Sequence, residues 1–285
     1  MPNSAEQHGA RQVRSDLLVS TAQFWADTDV DENLRVIAAM ADRAAERGSQ
    51  LLVLPEASMF LWRSAPEALA EAARLHGERF FEQVATIARR AGVAIVAPGY
   101  APSDDGRPWN RMVAFDRTGE RVATYDKVHL YDAFAYLESD SVRPGPVYED
   151  HAELGVFDVD GWRVGMLNCY DLRFPEMSRA LVDRGAEVLA IGSAWVVGHR
   201  KEFHFRTLAQ ARAIENTVFL AASTQQGDFS IGGSAVFGPL GDTLASAELD
   251  ADLVTARLRD EALREARAIL PVLENRRYPG LTPAR

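Results

Sequence analysis

One cysteine stands among the 285 residues, Cys169, and it closes the apolar run WRVGMLNC (162–169) before the sequence turns to YDLRFPE. An unpaired cysteine is either a small buried hydrophobe or a nucleophile. Here a tight turn follows the expected strand and leads into a helix starting near Pro175. Such a turn projects its side chain into open space and leaves the following N–H groups available as oxyanion donors. A helix N-terminus also favours a thiolate. Two further charges stand where apolar strands end: Glu56 closes LLVLPE, and Lys127 lies in YDKVHLYD. Either alone reads equally well as a solvated strand end, because buried charges need partners. Together with Cys169 they mark the C-terminal ends of three expected core strands, the edge at which ligand sites form in open α/β sheets. The six histidines, His8, His76, His129, His151, His199 and His204, carry no signature that singles out a base. They show no HExxH spacing, so no metal site or other cofactor is expected. His129, two residues past Lys127, reads as a structural hydrogen-bonding residue.

The elements that must position these residues follow from hydrophobic periodicity. LLVSTAQF (17–24) reads as a strand, and the next helix sets Leu34, Ile37, Met40, Ala41 and Ala44 on one face, with Gly48 as its stop. QLLVLP and VAIVAPGY are continuous apolar strands flanking the helical stretch PEALAEAARLHGERFFEQVATIARRAG. RMVAFD and RVATYDKVHL form a hairpin turning at Gly119. The second half repeats the grammar: strand WRVGMLNC, helix PEMSRALVDRG, strand AEVLAIGSAW, helix KEFHFRTLAQARAIEN, strand TVFLAAST and hairpin SAVFGPLGDTLASA. RAAERGSQLLVLPEAS parallels RALVDRGAEVLAIGSAW, and VAFDRTGERVATY parallels AVFGPLGDTLASA. Two related halves imply a four-layer α-β-β-α sandwich, with a single doubly wound sheet as the alternative.

At 47% hydrophobic and 25% charged, the composition is that of an ordinary globular protein. A formal charge of −10 argues against nucleic acid or anionic membrane as main partner. One cysteine excludes an internal disulfide framework, and no run approaches a membrane span. A cytoplasmic location is expected. Residues 1–14 read as a disordered polar leader, 15–270 as the domain, and the Pro- and Arg-rich 271–285 as a tail lying along a surface or a subunit interface.

LLVLPE, YDKVHLYD and LNCYDLRFPE, in this order, resemble the three signatures of the nitrilase superfamily of carbon–nitrogen hydrolases; ARAIEN and GGSAVFGPLGDTL are similar to further stretches of that family. The resemblance spans about 15 to 260. It implies the four-layer sandwich, a Glu–Lys–Cys triad and a homodimer or larger assembly. Cys169 would attack an amide carbonyl, Glu56 would act as general base and acid, and Lys127 would stabilise the oxyanion with the Tyr170 backbone N–H. The family's second glutamate falls on Glu138, where it would orient Lys127; otherwise Glu138 is an exposed loop carboxylate.

HLYDAFAYLESDSVRPG and CYDLRFPE look closest to the Nit branch, which includes ω-amidases and amidases acting on deaminated glutathione. Such substrates carry carboxylates. Arg173 is the first candidate to bind one, against the alternative of an ion pair with Glu176 or Asp171. Tyr131, Phe134, Trp195 and His204 are expected around the pocket. The segment between Lys127 and Glu138 is short for the branch, which reshapes the pocket mouth. N-carbamoyl amidohydrolase or nitrilase activity is the nearest alternative; a non-catalytic binding member or a thiol redox sensor is the alternative of another class.

Overall fold

Runs of apolar residues too short for helices become strands, and the amphipathic stretches between them become helices. The computed structural model describes residues 14–247 and 252–278. In chain order the elements are β1 (Leu17–Phe24), α1 (Val30–Glu46), β2 (Leu51–Val53), α2 (Pro66–Ala91), β3 (Ala94–Ala101), β4 (Trp109–Phe115) and β5 (Arg121–Asp126). A small hairpin, β6 (Asp132–Ala133) and β7 (Tyr136–Leu137), precedes β8 (Val156–Val159), β9 (Trp162–Asn168), α3 (Pro175–Asp183), β10 (Val188–Ser193) and α4 (Lys201–Asn216). The chain then forms β11 (Phe219–Gln225), β12 (Ala235–Phe237), β13 (Thr243–Ser246), β14 (Asp252–Leu258) and α5 (Asp260–Ile269). Asp29 caps α1, accepting from the N–H groups of Asp31 and Glu32, and Pro66 and Pro175 open α2 and α3.

Twelve strands form one hydrogen-bonded network with two halves, β5-β4-β3-β2-β1-β14 and β8-β9-β10-β11-β12-β13. Among the described residues, strand pairing joins the halves where β1 and β11 run parallel at Gln23↔Thr224 and Phe24↔Gln225. Away from this seam β1 is paired along its length with β14, and β11 with β12. The halves therefore fold onto each other. Leu17, Val19, Val53, Val96 and Met112 of the first join Val164, Met166, Ala190 and Ala221 of the second in one apolar core. The opposite faces of the same first-half strands, through Leu52, Ile95 and Val113, pack against Ile37, Phe80 and Val84 of α1 and α2. Leu181, Phe205, Ala209 and Ala213 of α3 and α4 cover the second half. The result is the four-layer sandwich expected from the internal parallels, not one doubly wound sheet.

Three expectations need correction. The strand expected to run through Lys127 to Leu130 ends at Asp126, so Lys127 and His129 sit in the loop beyond it. The hairpin β6–β7 and strand β8 went unforeseen. Arg14, assigned to the leader, is anchored: its guanidinium lies 3.6 Å from the Trp162 ring and forms ion pairs with Glu187 and, at 3.0 Å, with Asp260. Residues 1–13 of the expected leader and 279–285 of the expected tail lie outside the described residues. In the described part of the tail, Leu273 packs on the core and Arg276 pairs with Asp183 at 2.6 Å. Among the described residues, no helix is long and apolar enough to cross a membrane.

Candidate active site

Glu56, Lys127 and Cys169 converge because three strands end beside one another. β2 stops at Val53 and the chain runs on to Glu56; Lys127 follows β5 directly, and Cys169 follows β9. The close approach of the two halves depends on Gly192 of β10. A Cβ there would come within 2.9 Å of the Leu54 carbonyl oxygen and 2.7 Å of Pro98 Cγ.

Lys127 is the centre of the cluster. Its Nζ lies 2.7 Å from Glu56 Oε1 and 2.8 Å from Glu138 Oε2, and all three side chains are buried. Glu138 is thus no exposed loop carboxylate; its Oε2 also accepts the Tyr131 N–H at 2.6 Å. Glu56 Oε2 accepts the Ala194 N–H at 3.0 Å, and Gln225 Nε2 donates to the Glu56 carbonyl at 2.7 Å. Burial pushes the Glu56 pKa up, but the Lys127 charge and hydrogen bonds from Lys127, Cys169 and Asn110 outweigh it and hold it below 4.5. For Lys127, burial favours the neutral amine, yet Glu138 and Glu56 hold the ammonium well above its ordinary range. The cluster is a fixed carboxylate–ammonium–carboxylate row.

Cys169 opens a 3₁₀ turn (Cys169–Arg173) with φ of 45°, a left-handed conformation that costs energy for a side-chain-bearing residue and sets the thiol at a sharp strand-to-turn corner. Asp171 fixes that corner from behind. One of its oxygens accepts the Asn168 N–H at 2.9 Å and the Tyr125 hydroxyl at 2.8 Å; the other pairs with His129 Nδ1 at 2.8 Å. His129 stacks on Phe174 with ring centroids 3.7 Å apart, the structural role expected of it. The shift at Cys169 runs against the thiolate that a helix N-terminus would favour. Burial, then the Glu56 charge, pushes the thiol far above its ordinary range; Lys127 and the 3.3 Å hydrogen bond from Ser193 oppose this without prevailing. Desolvation thus favours the neutral thiol, while Lys127 favours the ionised form of the neighbouring Glu56.

The cluster forms the floor of a pocket. Tyr131 and Trp195 line it, and so does Tyr170. Phe134, Arg173 and His204 do not. Phe134 is exposed at the tip of the β6–β7 hairpin, and His204 lies on α4 with Nδ1 buried and unpartnered. Burial lowers the His204 pKa, with Arg173, Arg200 and Lys201 adding to the effect. Arg173 makes neither expected ion pair: Asp171 is taken by other partners, and the guanidinium lies 4.7 Å from the Trp195 ring behind the wall. Among the described residues, no group of three or more metal-ligating side chains converges.

Asn110 and Lys201 are among the pocket residues that escaped sequence reasoning. Asn110 of β4 donates to Glu56 at 3.0 Å and to Glu138 at 3.1 Å, and accepts from Asn168 at 2.9 Å. Its signal was a polar side chain inside WNRMVAF, whose neighbours Met112 and Ala114 on the same face are core. Lys201, at the start of α4, lines the pocket although a lysine at a helix end reads as a solvated charge.

The carbon-nitrogen hydrolase family model matches residues 10–268. The deaminated glutathione amidase of Escherichia coli O157:H7 is 37% identical over 262 residues, covering 92% of this chain and 98% of its own. Among solved structures, the C. elegans NitFhit protein has a TM-score of 0.84 at 28% identity, over 93% of this chain and 66% of its own length. A Glu→Gln mutant of the amidase from Nesterenkonia sp. AN1, showing covalent addition of the acetamide moiety of fluoroacetamide at its active-site cysteine, has a TM-score of 0.76 at 28% identity, over 92% of this chain and 94% of its own.

Proposed function

The chain belongs to the carbon–nitrogen hydrolase family, on the Nit-like branch of the nitrilase superfamily, and from that premise we propose that it is an amidase releasing ammonia from a small carboxylate-bearing amide through a thioester on Cys169. The observation that carries the reading is the Glu56–Lys127–Glu138 row beside a neutral buried thiol. A thiol that does not ionise alone needs a base at the moment of attack, and Glu56 is ionised and next to it. The names of the related amidases support amide over nitrile or N-carbamoyl substrates.

Cys169 Sγ attacks the amide carbon as Glu56 takes the thiol proton. The carbonyl oxygen becomes an oxyanion, stabilised by the Lys127 ammonium and the Tyr170 backbone N–H. Glu56 returns the proton to the amide nitrogen, the C–N bond breaks, and ammonia leaves a thioester on Cys169. Glu56 then deprotonates water, which attacks the thioester; the carboxylic acid departs and the proton returns to the sulfur. Glu138 holds Lys127 in place and touches no reacting atom. A homodimer or larger assembly in the cytoplasm is the proposed working form.

An ammonia-release screen across amides, N-carbamoyl amines and nitriles, with intact-mass detection of acyl-enzyme, tests the reading. Ammonia from amides and an acyl adduct lost in Cys169→Ala support it. Sulfenylation of Cys169 without an acyl adduct on any amide would favour the redox sensor instead.

A further inference from the structure

The charges around the pocket are unevenly distributed. The floor carries two carboxylates and one ammonium, Glu56, Glu138 and Lys127. Towards the hairpin the sign reverses. Lys201 lines the pocket at 5% exposure, and its Nζ donates to the Tyr131 hydroxyl at 2.8 Å and lies 3.6 Å from the Phe134 ring centroid. Those partners are a neutral phenol and a π face; neither neutralises an ammonium. Among the described residues no carboxylate lies within ion-pair distance of Lys201. The charge that bears on it unfavourably is a second cation, Arg173, whose Nε and Nη2 are buried without a partner. Trp195 joins the two: its indole N–H donates to the Lys201 carbonyl at 3.1 Å, and its ring carries the Arg173 guanidinium. Burial, with the repulsion from Arg173, lowers the Lys201 pKa. Two uncompensated cations at a pocket wall, in a chain of net charge −10, are costly unless an anion joins them.

We propose that Lys201 is the specificity-determining residue of the pocket, binding the substrate carboxylate remote from the scissile amide, while Arg173 acts through Trp195 as a positioning charge without touching substrate. This rests on the amidase reading and specifies its substrate: an amide whose acyl chain ends in a carboxylate, lying with the neutral amide on the anionic floor and the carboxylate at Lys201. The Tyr131 hydroxyl and Phe134 ring hold the ammonium in place before substrate arrives. Because Tyr131 also gives its backbone N–H to Glu138, the anion subsite and the row at the floor share one loop.

The test compares glutaramate with its uncharged analogue pentanamide, and separately measures glutarate binding to Cys169→Ala by calorimetry. Lys201→Met should raise KM for glutaramate about tenfold or more and lower kcat/KM for glutaramate several-fold more than for pentanamide, with Lys201→Arg recovering most of the difference. In the Cys169→Ala background, Lys201→Met should weaken glutarate about tenfold and flatten the salt dependence of binding. Equal loss on both amides, or unchanged glutarate affinity, overturns the assignment. If wild type releases ammonia from neither amide while glutarate binding still depends on Lys201, the amidase reading fails and the anion subsite stands.

Discussion

The side-chain amide of Asn110 donates to Glu56 at 3.0 Å while its second N–H reaches Glu138 at 3.1 Å, so one neutral group ties together two carboxylates that share a lysine. Asn110→Leu keeps the volume and leaves both carboxylates, and the Asn168 amide, one partner short. It should cost about 1–3 kcal/mol in chemical denaturation and lower kcat more than it raises KM. Wild-type stability in that variant would show the amide to be dispensable.

Lys127→Met strands two buried carboxylates without a counter-charge. The expected loss is about 3–5 kcal/mol in stability, with kcat down by roughly 10² or more. The variant's carboxylates should have raised pKa values, so its stability should improve as pH falls from neutral towards 4.5, whereas the wild type's should not. Denaturation at two pH values checks the sign.

For the wild type the pH window follows from two opposite shifts. The folded pKa of Glu56 lies below 4.5, so its contribution is present above that value and is lost as pH falls through the lower folded pKa. The folded pKa of Lys127 lies above 10.5, so its contribution is full below that value and is lost as pH rises through the higher one. The acid limb of kcat/KM should accordingly fall below 4.5. A limb near pH 6 would be about what an unperturbed histidine gives and would point to a different base.

The raised thiol pKa sets a third expectation. Without substrate, Cys169 should react with iodoacetamide more slowly than free cysteine at pH 8, with no plateau near the ordinary thiol pKa of about 8.5. Fast alkylation at neutral pH would contradict the neutral resting thiol and revive the sensor reading.

Gly192→Ala places a methyl 2.9 Å from the Leu54 carbonyl and 3.2 Å from the Glu56 N–H nitrogen, wedging the halves apart beside the base. A loss of about 1–3 kcal/mol is expected, with a larger proportional loss in kcat than Ala changes on the helix surfaces produce. Thermal melts and turnover of the same preparation measure both.

Much of this was legible in the sequence, for a physical reason. Glu56 and Cys169 are a charged and a reactive residue closing apolar runs, and such a run marks a strand; the end of the strand before Lys127, at Asp126, was not legible in the same way. The internal parallels pointed to two halves. What escaped depends on contacts across the chain. Asn110 meets Glu138 and Asn168 only once β4 lies beside the turn that carries Glu138 and the end of β9. Lys201 meets Tyr131 across a separation of 70 residues, which no local pattern encodes. Arg173 failed as an ion-pairing residue because Asp171 was already committed to His129 and Tyr125, a competition invisible in the linear spacing.

The seam at Gln23↔Thr224 and Phe24↔Gln225 divides the chain in a further sense. Glu56 and Lys127 belong to polypeptide emerging before β8, and Cys169 to polypeptide emerging after it. A ribosome that has released only the first stretch has made Glu56 and Lys127 without the thiol that packs beside them. Gln225, on the seam itself, supplies the amide that clasps the Glu56 backbone, and it is synthesised long after Glu56. On the proposed mechanism, two separately expressed segments divided between β7 and β8 should each be inert until they find one another.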